Sequence, residues 1–147
     1  MKQFKYRFLS TLMLLLSASL QAEQAQDFGA YTVHYIAVNS TFLDPEIARQ
    51  YGITRSERRG FVNISVLKNS ADGNGPAVSA HIEGLKKNLL QQAQPLNFTE
   101  IREAQAIYYL GEFDFSNAET LRFELQIQPE ARGPVYPLTW TTRLYSD

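Results

Sequence analysis

The stretch LRFELQIQ, residues 121–128, alternates apolar and polar side chains without a break. In an extended chain, Leu121, Phe123, Leu125 and Ile127 fall on one side, and the charged and amide side chains fall on the other. A period of two residues is typical of a β-strand that buries one face. We therefore predict a strand here, with its four apolar side chains directed into a core.

Other segments repeat this alternation, and Gly, Pro, Asn and Asp residues separate them. Many short strands with turn residues between them favour an antiparallel immunoglobulin-like β-sandwich of about seven strands, with an up-and-down barrel as the alternative. Pro137 cannot donate a ladder hydrogen bond, so the last strand is predicted to lie at a sheet edge. The six other predicted strands span residues 31–39, 61–67, 77–83, 96–103, 106–115 and 136–145.

One short helix is predicted between the first two strands, over residues 45–51. Asp44 is a suitable N-cap, Pro45 suits the first helical position, and Gly52 is a suitable C-terminal stop. A helix of this length needs tertiary packing to be stable. We expect it to close one pole of the sandwich, held there by Phe42, Leu43, Ile47 and Tyr51.

The first 22 residues have the pattern of a secretory signal peptide. Lys2, Lys5 and Arg7 precede the apolar run 8–16, and Ala22 is a suitable last residue before the cleavage site. We predict a signal peptide over 1–22 and a single β-sandwich domain over 23–147, with an uncleaved anchor as the alternative. The apolar run is short for a bilayer, so no stable membrane span is expected after cleavage.

Charge and cysteine content exclude several classes of function. Without residues 1–22 the chain has eleven Lys and Arg against fifteen Asp and Glu, a net charge near −4. Nucleic acid is therefore not an expected partner, because phosphate binding requires a basic surface. The absence of Cys excludes disulfides, thiolate metal sites, cysteine nucleophiles and lipidation of a cysteine.

Two long segments resemble a bacterial family. They are FGAYTVHYIAVNSTFLDPEIARQYGITRSERRGFVNISVLK, residues 28–68, and QPLNFTEIREAQAIYYLGEFDFSNAETLRFELQIQPE, residues 94–130. The chain is similar to the small exported proteins grouped as domain of unknown function 4426. The resemblance covers nearly all of the chain after the signal peptide, and it implies an exported protein of the Gram-negative periplasm or envelope. It implies no activity, cofactor or catalytic residue.

The motifs that would indicate catalysis are weak. No G-x-S-x-G nucleophile elbow is present, and the two histidines, His34 and His81, are better explained as structural and solvated residues. The loop around Asp72 lacks the terminal Glu of a calcium loop. The pairs Glu100 with Glu103 and Glu112 with Asp114 are more simply explained as solvated strand faces. We therefore predict no catalytic, metal-binding or cofactor-binding residue.

Two groups of residues are candidates for an interaction surface. Polar residues surround the predicted helix, and one strand carries Tyr108 and Leu110 on the face opposite Ile107. This second pair is either an exposed patch or core beneath residues 85–92. The expected function is a periplasmic, non-enzymatic binding or interaction module for an unknown envelope protein or a small ligand. The alternatives are a small periplasmic hydrolase and a chaperone-like module that donates a strand. The candidates beside the helix are Asn39, Thr41, Glu46, Arg55 and Arg58.

Overall fold

The computed structural model describes residues 23–147, and in this range the protein is all-β with antiparallel sheets. The predicted fold class is confirmed at this level; the predicted signal peptide lies outside the described residues. A 3-10 turn (Ser40–Phe42) and one helix, α1 (Pro45–Gln50), lie between the second and third strands. The strands are β1 (Gln24–Asp27), β2 (Tyr31–Asn39), β3 (Arg59–Ser70), β4 (Gly73–Ala77), β5 (Ala80–Lys87), β6 (Ala93–Pro95), β7 (Phe98–Glu103), β8 (Ala106–Asp114), β9 (Glu119–Pro129) and β10 (Tyr136–Leu144).

The strands form two sheets. The first sheet has the order β1-β2-β3-β8-β7, and β4 pairs with the end of β3 beyond β8. The second sheet has the order β10-β9-β5-β6. β10 therefore lies at an edge, where Pro137 is opposite Gln126, so the prediction from this proline is confirmed.

The two sheets bury one apolar core between them. Leu121, Phe123, Leu125 and Ile127 of β9 are at most 1% exposed, which confirms the prediction made from their alternation. Aromatic rings meet across the core: Phe113 of the first sheet packs edge-on against Phe123 of the second, with ring centroids 5.0 Å apart. Burial of these large apolar side chains is the main favourable contribution to folding.

Three short strands were not predicted, so the count of about seven is wrong for the described residues. Residues 24–27, which precede the first predicted strand, pair with β2 as β1, and most of β4 lies between the predicted strands 61–67 and 77–83. β6 pairs with the second half of β5. Each is defined by hydrogen bonding to a longer neighbour and has little periodicity of its own. Because β1 precedes β2, α1 lies between the second and third strands.

The predicted position of the helix is also wrong. Instead of closing a pole, the β2–β3 connection, residues 40–58, packs on the face of the first sheet that points away from the second sheet. We call this the outer face. There Ala48 and Ile53 of the connection form a second apolar cluster with Phe61 of β3 and Leu110 of β8. Ile47 is 37% exposed, and Phe42 is 71% exposed.

Neither described helix is long and apolar enough to cross a membrane.

Candidate functional site

The outer face of the first sheet is unusually apolar for a solvent-facing side. Alternation along β2 sends Val33 and Ala37 into the core and Ile36 and Val38 to the outer face. On β3, Phe61 points outward between the inward-facing neighbours of its strand. An apolar outer face requires cover, and the β2–β3 connection covers only part of it.

The uncovered part is a cleft of about 730 Å³. Its base is the outer face, including Tyr108 and Leu110 of β8. One wall comes from the connection, with Phe42, Leu43 and Tyr51, and the other from the chain after β10, with Tyr145 and Asp147. The volume falls within the range typical of small-molecule sites, about 300–1,000 Å³.

Local interactions hold the connection in place. The Asp44 carboxylate accepts a hydrogen bond from the Glu46 N–H at 2.8 Å, so the predicted N-cap is confirmed. Gly52 has φ +70°, the left-handed conformation that a helix stop requires, which confirms its role as well. The buried Ser40 hydroxyl donates to the Ser56 carbonyl at 3.1 Å and accepts from the Ser56 N–H at 2.9 Å. This exchange joins the two ends of the connection.

Two carboxylates at the mouth of the cleft accept hydrogen bonds from hydroxyl groups of the connection. The Tyr51 hydroxyl donates to the Glu103 carboxylate, and this hydrogen bond is the main reason why the pKa of Tyr51 is raised to about 12. The Thr41 hydroxyl donates to the Asp147 carboxylate. On the base of the cleft, the Asn63 Oδ1 atom is buried and has no hydrogen-bond partner among residues 23–147.

Four of the seven candidate residues line this cleft: Asn39, Thr41, Tyr108 and Leu110. The Asn39 side-chain amide donates to the Tyr145 carbonyl at 2.6 Å, which ties the chain after β10 to the end of β2. Leu110 is 8% exposed and belongs to the second cluster. The β2–β3 connection covers most of it and leaves a small part facing the cleft; residues 85–92, the segment proposed as its cover, are not among its cluster neighbours.

The other three candidates lie outside the cleft lining. Glu46 is exposed in the first turn of α1, and Arg58 is exposed before β3. Arg55 donates from Nη2 to the Thr41 carbonyl at 3.1 Å, so it supports the cleft wall from behind. Their side chains therefore do not meet the apolar surface that Tyr108 and Leu110 contribute.

The acidic pair Glu112 and Asp114 is held in structural contacts, and neither histidine lines the cleft. Glu112 accepts from the Thr54 N–H at 2.8 Å, and Asp114 accepts from Arg59 Nε at 3.2 Å. His34 Nδ1 lies 3.9 Å from the Glu23 carboxylate, beyond hydrogen-bond distance, and His34 is not part of the cleft lining. His81 is exposed and pairs with Glu83 at 2.8 Å. Across the described part of the chain, no group of three or more His, Cys, Asp or Glu side chains is placed to hold a metal ion.

Sequence reasoning missed several cleft residues. Phe42 and Tyr51 were predicted to be packing residues, Glu103 was considered only in a pair with Glu100 and explained as a solvated residue, and Asn63 and Asp147 were not singled out as site residues. One signal was available, because β2 has apolar residues on both faces and a two-sided strand predicts that both faces are covered. The contribution of Asp147 depends on where β10 ends, which no local pattern indicates.

Comparison with known proteins supplies the family. Residues 25–147 match the domain of unknown function DUF4426. The chain belongs to the DUF4426 family. A DUF4426 family protein from Pseudomonas aeruginosa PAO1, known from a crystal structure, is 33% identical; the similarity covers 87% of this chain and 98% of that one, with a TM-score of 0.75. The resemblance identified from residues 28–68 and 94–130 is thus confirmed. Among curated proteins, none matches this DUF4426 chain.

The fold extends to more distant proteins. FetP of uropathogenic Escherichia coli strain F11, recombinantly expressed in the periplasm of E. coli, is 9% identical with a TM-score of 0.60, over 85% of this chain and 95% of FetP. A copper-bound variant of FetP is 10% identical with a TM-score of 0.61, over 85% of this chain and 96% of that one. At these identities the similarity to this DUF4426 protein is one of fold alone.

Proposed function

We propose that this protein is a periplasmic, non-enzymatic binding module of the cell envelope. Its cleft receives the apolar part of a small ligand or of an envelope partner. The observation that carries this proposal is the 730 Å³ cleft on the outer face, where an open apolar base meets a few polar groups at the mouth. The candidates Asn39, Thr41, Tyr108 and Leu110 contact the bound group, whereas Glu46, Arg55 and Arg58 contribute to the surrounding surface.

Phe42 is the residue that argues most directly for an interaction. It lines the cleft and leaves 71% of its surface exposed, although it stands in a connection held at both ends by the Ser40–Ser56 exchange. A large aromatic side chain at the mouth of an apolar cleft gains free energy when a ligand covers it. It has no comparable role in folding.

We further propose that the chain is exported by a signal peptide over 1–22 and that residues 23–147 form one immunoglobulin-like domain. The seven longer strands support this assignment. Their orders are β2-β3-β8-β7 in one sheet and β10-β9-β5 in the other, which correspond to the A-B-E-D and G-F-C orders of constant-type immunoglobulin domains. The run of basic and then apolar residues at the N-terminus supports export.

The other functional readings have less support. A hydrolase would need a nucleophile with a base beside it in the cleft. His34 does not line the cleft, and the carboxylates that do, Glu103 and Asp147, accept hydrogen bonds from the Tyr51 and Thr41 hydroxyls of the cleft wall. A strand-donating module would use a long free edge, and Pro137 interrupts hydrogen bonding on edge strand β10. The copper of the FetP variant is not transferred to this chain, since the described residues assemble no three-ligand group.

A neutral fluorescent dye tests the proposal. N-phenyl-naphthylamine fluoresces in apolar surroundings, so titrating it into the purified protein should give saturable fluorescence at one site. Phe42→Asp places a charge at the cleft mouth without disturbing the core, and we expect it to weaken dye affinity about tenfold or more. Leu90→Asp is the matched control, because Leu90 is 80% exposed and distant in the fold, in the β5–β6 turn.

Two results would contradict the proposal. One is the absence of saturable dye binding to the wild-type protein; the other is an equal loss of binding in Phe42→Asp and Leu90→Asp.

Localisation is tested separately, by fractionating cells that produce the full chain and probing the periplasmic and cytoplasmic fractions. A protein found only in the cytoplasm, with residues 1–22 retained, would refute export.

A further inference from the structure

The charged side chains that line the cleft are all acidic. They are Glu103, the last residue of β7, and Asp147, beyond the end of β10. No Lys, Arg or His belongs to the described lining. Both carboxylates are exposed and are held by hydroxyl donors within the cleft wall, Tyr51 and Thr41 respectively.

A third acceptor lies deeper. The Asn63 Oδ1 atom is buried on the cleft base and has no partner among residues 23–147. A buried polar atom without a hydrogen bond is destabilising, so a donor brought by a ligand would relieve this cost. The amide acceptor and the two carboxylates therefore favour the same kind of ligand group, one that donates hydrogen bonds and carries positive charge.

We propose that the cleft selects a small amphiphile that combines an alkyl or aryl body with a primary ammonium group. The body contacts the apolar base, including Leu110 and Tyr108. The ammonium pairs with Glu103 or Asp147 and satisfies hydrogen-bond acceptors of the site. This inference rests on the proposed binding function and adds to it the charge and hydrogen-bonding class of the ligand.

Two arginines contact the cleft lining from outside, and their positive charges oppose the binding of a cation. Arg55 donates to the Thr41 carbonyl, and the Arg143 guanidinium lies 5.6 Å from the centre of the Tyr145 ring. Both contact lining residues without being part of the lining themselves. Because Coulomb interactions weaken with distance and solvent screening, the carboxylates inside the cleft govern the charge preference.

Three probes of equal chain length test the inference. Octylammonium, octanol and octanoate are titrated into the purified protein and followed by calorimetry. The side-chain amide signals of Asn63 are followed by NMR to locate the site. We expect octylammonium to bind about tenfold more tightly than octanoate, since exposed ion pairs each contribute up to about fivefold. Octanol should fall between them, and octylammonium should shift the Asn63 signals.

Isosteric variants assign the preference to its residues. Glu103→Gln and Asp147→Asn keep an acceptor for Tyr51 and Thr41 but remove one charge each. Each should reduce the ratio between the octylammonium and octanoate affinities about threefold. Glu83→Gln makes the same change on the second sheet, and we expect it to leave the ratio unchanged. Should either cleft variant fail to fold, the comparison of the three probes on the wild-type protein still decides.

The results distinguish a failure of the ammonium preference from a failure of the proposed binding function on which it rests. If octanol binds and the two ions bind equally, or octanoate binds more tightly, the ammonium preference is refuted while the apolar binding cleft stands. If none of the three probes binds, the proposed function fails as well. A preference for octylammonium that keeps its wild-type size in both cleft variants would refute the assignment to Glu103 and Asp147.

Discussion

Tyr109 joins the two sheets through its phenol oxygen, and Tyr109→Phe removes that connection while keeping the ring. The hydroxyl accepts a hydrogen bond from the Ala80 N–H at 2.8 Å and donates one to Glu100 Oε2 at 2.8 Å. Ala80 begins β5 of the second sheet, and Tyr109 lies on β8 of the first. Tyr109 as a whole is 5% exposed, so its ring is buried and Phe retains the packing.

The cost of the change is the sum of two losses. The Ala80 N–H loses its acceptor at a half-buried position, which we set at about 1 kcal/mol, the low end for an unsatisfied donor. The Glu100 carboxylate loses a charge-assisted hydrogen bond, about 1 kcal/mol at its partly exposed position. The free energy of unfolding should therefore fall by about 2 kcal/mol at pH 7, which lowers Tm by about 8 °C for a chain of this length.

The loss of the hydrogen bond to the Glu100 carboxylate depends on pH. Hydrogen bonds from Tyr109 and Arg102 lower the pKa of Glu100 below its ordinary value of 4.5. A lowered pKa in the folded state contributes stability that is present above pH 4.5 and disappears as the pH falls through the folded-state pKa. In Tyr109→Phe the larger of the two hydrogen-bond contributions is gone. The difference between wild type and variant should therefore decrease toward about 1 kcal/mol as the pH falls below 4.5.

Urea denaturation at pH 7 and pH 3 measures both quantities, and the adjacent Tyr108→Phe supplies the control. Within the described residues the Tyr108 hydroxyl makes no hydrogen bond, so this variant should stay within about 0.5 kcal/mol of wild type at both pH values. An equal loss of stability in Tyr108→Phe and Tyr109→Phe would show that the Tyr109 hydroxyl makes no specific contribution. A Tyr109→Phe loss that is the same at both pH values would refute the role of Glu100.

Three further predictions concern the second sheet, the connection and the cleft. Gly84→Ala should lower the free energy of unfolding by about 1–3 kcal/mol, because an added Cβ would lie 2.3 Å from the Glu124 carbonyl oxygen and 2.4 Å from Leu125 Cδ2. Glu83→Ala is the control, and equal urea midpoints for the two variants would contradict the clash. Asp44→Ala should destabilise α1 by about 1 kcal/mol, seen as faster hydrogen exchange at the Glu46 amide, and unchanged exchange would exclude a capping role. Ultraviolet titration should find one tyrosine ionising near pH 12 that is absent in Tyr51→Phe and shifts toward pH 10 in Glu103→Ala. Because this pKa is raised in the folded state, its stabilising effect holds below pH 10 and is lost as the pH rises toward 12.

The main strands and their core faces follow directly from sequence. A strand that packs one face on another sheet must alternate, and β9 does so over its whole central stretch, so its four buried side chains are identifiable without coordinates. The short strands lack this property. β4 has the sequence GNGPA, whose glycines and proline indicate a turn, and it becomes a strand only because β3 continues to Ser70 and offers it a partner.

In helix α1 the two ends are determined by nearby residues, whereas the location of the helix is determined by tertiary packing. Its beginning and end depend on contacts within a few residues, such as the Asp44 cap and the left-handed Gly52, and both were predictable. Its location depends on which surface it covers. The buried helical residue is Ala48 at 1% exposure, whereas Ile47 is 37% exposed, so the larger side chain is not the one that anchors the helix. A small residue allows the helix backbone to approach the sheet closely, which hydrophobicity alone does not indicate.

The cleft exists because the β2–β3 connection covers only part of the apolar outer face. Only part of this arrangement could be predicted from the sequence. β2 presents Ile36 and Val38 to the outer face, which predicts a cover there, and the connection of residues 40–58 is the nearest segment able to provide it. That connection leaves part of the face open, since the α1 helix has only six residues. Closure of the walls then depends on Asp147 and Glu103, which meet the connection through Thr41 and Tyr51. Because these contacts are set by strand register across two sheets, the apolar base was accessible to sequence reasoning and the acidic mouth was not.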